Sequence, residues 1–289
     1  MIYKVYIMSI LNEIKSGYIQ LDDLKLHVAT IGNGPPLFLL HGFPDFWYGW
    51  KNIIQKLKND YHLIIPDMRG YNLSDKPVGV ENYKMEFLIK DIKDLADILG
   101  IDTFFLAGHD WGGVIAWCFA EKYPERVEKL MILNAPHPKI FQERLRNDKA
   151  QQKASFYIFE FLKPHGEKFV IENDYKWLKW AVFKGIINQE EFSEFDKNEY
   201  LKAWTRPGAI IGGVNYYRAN TTFNNWTGHI KVPTVVIHGM KDVAVLPSIL
   251  DDLPNYVQDL KIIRAENASH WVMHDDPNLV VSTIRDFFI

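Results

Sequence analysis

The chain has 289 residues, 47% of them hydrophobic and 24% charged, with a formal net charge of −3. That length allows a large buried core with room for an inserted subdomain, and that composition excludes a disordered chain. The near balance of charge, with no long block of one sign, argues against a nucleic-acid or membrane binder, so the partner expected is a small molecule.

The opening MIYKVYIMSILNEIKSG carries Lys4, Glu13 and Lys15 and lacks a small-residue cleavage site. It reads as neither a signal peptide nor a membrane span, but as an N-terminal extension. PLFLLHG at 36–42 and YHLIIPD at 61–67 are short apolar runs, the pattern of strands covered on both faces. In YKMEFLIKDIKDLADILG at 83–100 apolar residues recur at three and four, which predicts a helix. TFFLAGH at 103–109 and KLMILNAP at 129–136 predict two more strands. Cys118, the one cysteine, leaves no internal disulfide and no paired thiolate ligands, which fits a reducing, cytoplasmic setting. From about 138 to 226 aromatic, helical segments replace the strands, which return with VPTVVIHG at 232–239 and DLKIIRAEN at 259–267 before NLVVSTIRDFFI closes the chain as a helix. Strands alternating with helices predict an α/β fold, a mostly parallel central sheet with helices on both faces. The simplest organisation is a core of residues 1–137 and 227–289 with a helical cap, 138–226, inserted in it.

The chemistry centres on AGHDWGG at 107–113. Gly108, one residue, Asp110, one residue and Gly112 has the spacing of a nucleophile elbow between a strand and a helix, with an aspartate where a serine usually stands. The glycines suit a strained turn that brings backbone close behind the central side chain. A nucleophile needs a base and an acid to orient it, and this architecture orders them acid then histidine. Asp242, in HGMKDVAVLP, and His270, in ENASHWVMHDDP, each follow a strand run. The plainer alternatives are a helix-capping Asp110, a turn-forming Asp242 and a core His270, and it is their joint order at strand ends that favours a triad. His274 is the weaker base because it already enters the last helical region. The loop after the 36–42 strand, HGFP, and the residue after the nucleophile supply oxyanion-hole amides in this architecture, here those of Phe43 and Trp111. His41 and the DMRGYNLSDKP loop at 67–77 read as structural.

HGFPDFWYGW, DMRGYNLSDKP, AGHDWGG and the late Asp242 and His270 resemble the α/β-hydrolase superfamily over nearly the whole chain, and specifically its epoxide hydrolase branch, which also holds haloalkane and haloacid dehalogenases. The resemblance implies the α/β-hydrolase fold with an inserted helical cap, no metal and no cofactor, and a small apolar epoxide or halogenated substrate; it leaves a homodimer open. It also implies two cap tyrosines that hold the epoxide oxygen. SFYIFEFLKP matches the first of these motifs at Tyr157, and GGVNYYRANTTFNNW matches the second at Tyr217, with the adjacent Tyr216 as competitor and as a substrate contact in its own right. Trp111 would suit a halide as well, so a dehalogenase stays the alternative. The arginines that fluoroacetate-type relatives use are replaced by Trp111 and Val114, and their halide-binding histidine by Tyr157, which count against a charged haloacid. A hydrolase fold reused as a binding module is the remaining reading, and the full triad argues against it.

Overall fold

The computed structural model describes residues 13–288; the first twelve residues of the expected N-terminal extension lie outside them. Eight strands form one sheet in the order β1-β2-β4-β3-β5-β6-β7-β8. They are β1 (Lys15–Gln20), β2 (Lys25–Ile31), β3 (Pro36–Leu40), β4 (His62–Pro66), β5 (Phe104–His109), β6 (Val127–Leu133), β7 (Thr234–Gly239) and β8 (Leu260–Ala265). β1, β2 and β4 pair antiparallel, and β4 through β8 run parallel. Every residue of β5 and β7 is buried, as expected of central strands covered on both faces. β1 is almost wholly exposed, so it carries no hydrophobic pattern; its residues Lys15–Gly17 correct the expectation of an extension reaching to residue 17.

Helices α1 (Lys51–Leu57), α2 (Met85–Ile98) and α3 (Trp111–Lys122) cross between the early strands. In α3 the run from Trp111 to Ala120 is buried on all sides, which places it against the middle of the sheet. Between β6 and β7 the chain is helical: α4 (Pro138–Asn147), α5 (Lys149–Ala154), α6 (Phe156–Leu162), α7 (Glu167–Leu178), α8 (Glu194–Trp204) and α9 (Ala209–Ala219). α7 is broken at Glu172–Tyr175, where Asn173, Asp174 and Tyr175 take positive φ, and it runs on into a wider helical turn over Lys179–Lys184. Helix α10 (Pro277–Phe287) closes the fold, its first turn capped by the Asp276 carboxylate.

The helical segment is fixed to the sheet by directional contacts. Trp204 Nε1 donates to the Pro44 carbonyl at 2.7 Å and the Tyr200 hydroxyl to Asp45 Oδ1 at 2.8 Å. Lys51 Nζ and Asp196 Oδ2 form a fully buried ion pair at 2.7 Å, and the Tyr48 hydroxyl donates to Asp196 Oδ1. Removing one partner of such a pair would strand a buried charge, at a cost of about 3–5 kcal/mol. These bonds set where the helices stand over the ends of β3, β5, β7 and β8.

Candidate active site

The parallel strands end on one edge, where an open α/β sheet offers its ligand crevice. β5 delivers Asp110 there through a strained turn with φ 49° and ψ −123°. A non-glycine residue in that region costs on the order of 1–3 kcal/mol and persists only when its surroundings enforce it. Here they do: a Cβ on Gly108 would meet the Gly112 carbonyl oxygen at 2.4 Å, and one on Gly112 would meet the Leu40 carbonyl oxygen at 2.2 Å. The turn thus packs backbone on backbone and leaves the Asp110 side chain as the group that projects.

Its two oxygens differ. Oδ1 accepts the Phe43 amide at 2.7 Å, while Oδ2 lies 3.7 Å from His270 Nε2. The Trp111 amide borders the same spot, 2.6 Å from where a Cβ on Gly42 would stand, without a hydrogen bond to Asp110. His270 Nδ1 meets Asp242 Oδ2 at 2.8 Å. Asp242 is buried and saturated with donors: Asn134 Nδ2 at 2.8 Å on Oδ2, and the Ala244 and Val245 amides at 2.8 and 2.9 Å on Oδ1. Burial alone would raise its pKa, but the His270 charge and the hydrogen bonds from His270 and Asn134 hold it down at about 2. Burial would likewise lower His270, yet the Asp242 charge, that hydrogen bond and the nearby Asp110 raise it to about 10. Both flanking carboxyl groups thus favour the protonated form of the His270 ring.

Two supporting residues escaped the sequence reading. Asn134 stands at the end of β6 with φ 41° and ties Asp242 to the Gly239 amide, which it accepts at 3.1 Å. An asparagine at a strand end before Ala-Pro is the signal, and it is shared with ordinary turns. His109 donates from Nε2 to the His270 carbonyl at 2.9 Å. Burial, then repulsion from His270, lowers its pKa to about 3, so it stays neutral beside the charged ring.

Tyr157 on α6 and Tyr217 on α9 line the cavities that contain Asp110. Their rings meet edge to face at 6.1 Å, and Tyr217 also packs on Phe43, Trp111 and Phe161. Burial, reinforced by the Asp110 charge, pushes both phenols above their usual range, with Tyr217 partly offsetting the rise at Tyr157. Both therefore hold their protons at neutral pH. Tyr216 corrects an expectation: its fully buried hydroxyl donates to the Arg69 carbonyl at 2.8 Å and it borders neither cavity, although its ring touches Trp111. His41 Nε2 accepts the Met68 amide and its Nδ1 donates to the Gly42 carbonyl, a structural arrangement. His274 is buried 3.3 Å from the Tyr200 hydroxyl, apart from Asp242.

Two cavities, of about 840 and 230 Å3, meet at this point, since Asp110, Tyr157 and Tyr217 border both. His270 and Phe43 face the larger, Trp111 and Val114 the smaller.

The sequence profile of the alpha/beta hydrolase fold matches residues 35–277. The AB hydrolase superfamily protein YfhM of Bacillus subtilis is 36% identical over 281 residues, which cover 95% of this chain and 98% of that one. Human epoxide hydrolase 4 is also 36% identical over 281 residues, covering 93% of this chain and 78% of the relative. The crystal structure of a Bacillus megaterium epoxide hydrolase in complex with an inhibitor superposes with a TM-score of 0.88 at 32% identity, over 94% of this chain and 99% of that chain. The chain thus belongs to the α/β-hydrolase fold family and, within it, to the epoxide hydrolase branch.

Proposed function

We propose that this protein hydrolyses epoxides to vicinal diols through an ester on Asp110, with residues 138–226 acting as the cap that brings the acids. One observation carries the reading: two protonated phenols share a cavity wall with the projecting carboxylate. An opening epoxide leaves as an alkoxide, a strong base that needs a proton, whereas a departing halide needs none.

Because Oδ1 is already engaged by the Phe43 amide, Oδ2 is the oxygen free to attack. It forms a bond to one oxirane carbon as the bond from that carbon to oxygen breaks, and Tyr157 or Tyr217 gives its proton to the released oxygen. Alkylation cancels the Asp110 charge, one of the influences that raise His270, so the imidazole loses its proton more easily and becomes available as a base. It then takes a proton from water, and the hydroxide adds to the Asp110 carbonyl carbon. Negative charge gathers on Oδ1, where the Phe43 amide and, after a small adjustment, the Trp111 amide stabilise it. Collapse breaks the bond from that carbon to Oδ2 and the diol leaves with Oδ2 and the His270 proton; the carboxylic acid left on Asp110 returns its proton to His270, and the phenoxide regains from solvent the proton that the imidazolium released to it.

The substrate is a small molecule and the reaction calls on no cofactor. No helix among the described residues is long and apolar enough to cross a membrane. A cytoplasmic setting belongs to the proposal and rests on Cys118, a buried thiol whose pKa burial drives well upward, which makes it inert. The test is a panel of styrene-type and aliphatic epoxides beside haloalkanes and haloacetates, reading diol and halide. Diol from epoxides with little halide is expected; the reverse would move the protein to the dehalogenases, for which Trp111 at the smaller cavity is the feature that speaks.

A further inference from the structure

The loop that carries His270 is joined to the helical segment above it by a carboxylate outside the triad. Asp275 ends the short helical turn Val272–Asp275 and directs its two oxygens to different parts of the molecule. Oδ2 accepts the Ser269 amide at 2.7 Å and the Ser269 hydroxyl at 2.5 Å, next to the histidine, and that hydroxyl in turn accepts the Trp271 amide at 3.2 Å. Oδ1 accepts the Ile187 and Asn188 amides at 2.7 and 3.0 Å, 88 and 87 residues away in sequence. A second link runs alongside: Trp271 Nε1 donates to the Ala181 carbonyl at 2.9 Å, and the Trp271 ring stands edge to face on the His270 ring at 5.3 Å. Gly185 leaves room for that link, since a Cβ there would meet the Ala181 oxygen at 2.1 Å and Trp271 Nε1 at 3.0 Å. A carboxylate that only closed its own turn would have no use for donors on a remote segment. The segment so held is a wall of the larger cavity: Ala181, Gly185 and Ile187 border it, as do Ser269, His270 and Trp271. It follows the break at Glu172–Tyr175, so the helix before that break does not dictate its place.

We propose that Asp275 is a positioning residue for ester clearance: it straps the His270 loop to the cavity wall and so holds the imidazole where it can activate water against the Asp110 ester. This rests on the reaction proposed above and adds a residue to it. Asp275 does not border the cavity; it acts through Ser269. Ring opening uses Asp110 and the phenols of Tyr157 and Tyr217, which stand on other helices, so a loosened strap penalises the second step and spares the first. Asp275→Asn keeps the size of the side chain but replaces one acceptor oxygen by a donor, which opens one end of the strap. A misplacement on the order of 1 Å can cost about 10²-fold in rate, and the loss of one end of a two-ended strap is expected to cost about tenfold.

The experiment measures steady-state kinetics with styrene oxide, and the fraction of enzyme carrying ester by acid quench and intact mass, in the wild type, in Asp275→Asn and in Gly185→Ala, which loosens the wall from the other side. In Asp275→Asn kcat and KM should each fall about tenfold while kcat/KM, which reports binding and ring opening, stays within about twofold, and the ester fraction should rise. In Gly185→Ala the ester fraction should rise in the same way. A purely structural residue would lower stability in denaturant titration, or kcat/KM, without changing the ester fraction, and that result overturns the assignment. So does a clearance rate whose pH midpoint moves in Asp275→Asn, since the residue would then act by its charge. An ester fraction unchanged in Gly185→Ala overturns it as well, and that variant carries the test alone if Asp275→Asn does not fold. If the wild type makes no diol from styrene oxide, the epoxide reading itself has failed, and the same partition is read on 1-bromobutane, whose ester on Asp110 the same histidine would clear.

Discussion

The half of the site carried by the sheet and the half carried by the helices above it are held in different ways. Asp110, Asp242 and His270 are fixed by hydrogen bonds: one oxygen of Asp110 and both oxygens of Asp242 have assigned partners, and both the His270 ring and its carbonyl are tied. Tyr157 and Tyr217 are set by ring packing, and their hydroxyls donate to no backbone carbonyl among the described residues, unlike Tyr216. A nucleophile and a base must meet a carbon and a water at one distance, which favours a rigid polar frame. In the proposed reaction two acids would deliver a proton to a moving oxygen, which needs reach and a retained proton, and packing and burial supply both.

That difference predicts how each half fails. Asp110→Ala should lower diol formation by roughly 10⁴-fold or more, because nothing else in the frame can form the ester. His270→Ala should also stop turnover, but with ester formation intact: intact mass should rise by one substrate, and peptide mapping should find the adduct within residues 108–113. An adduct elsewhere, or none, would break the division between attack and clearance. On the helical side, Tyr157→Phe or Tyr217→Phe should slow ring opening roughly 10²-fold each, and the pair together should nearly abolish it without any trapped ester. A double variant as active as the wild type would remove the epoxide reading.

The charge on His270 sharpens the comparison through pH. Its pKa is raised in the resting site, chiefly by Asp242 against the opposing effect of burial, and part of the rise goes when Asp110 is esterified. In the proposed reaction clearance needs a neutral imidazole, whereas attack does not. Lower pH should therefore slow the second step before the first, so acid-quenched enzyme should carry more ester at about pH 5 than at about pH 8. An ester fraction independent of pH would mean that His270 is not the base. The smallest effect belongs to Tyr216→Phe, which loses one buried hydrogen bond: about 1 kcal/mol of stability by denaturant titration, with kcat within a few-fold of wild type.

The two halves also differed in how far they could be read from sequence. The strands of the core are apolar throughout because both faces are covered, and glycines flank Asp110 because the turn admits no Cβ, so pattern and chemistry coincide. β1 escaped because an exposed edge strand needs no hydrophobic pattern, and Asn134 because its role depends on Asp242, far away in sequence. Tyr216 and Tyr217 could not be ordered, since neighbours on a helix point about 100° apart and only the rotation of α9 against Arg69 and Phe43 decides which one enters the cavity. The break in α7 has three successive positive φ values, and its one mark in the sequence, the Asn173-Asp174 pair, is shared with ordinary turns.

The claim at the centre is that the carboxylate, and not a water, first bonds to the substrate carbon. A single turnover in ¹⁸O-water with enzyme in excess tests it directly. The new oxygen on the diol should come from Asp110, giving largely unlabelled diol and heavy oxygen in the Asp110 peptide, with label entering the diol only over repeated turnovers. Heavy diol in the first turnover beside an unlabelled Asp110 peptide would contradict it.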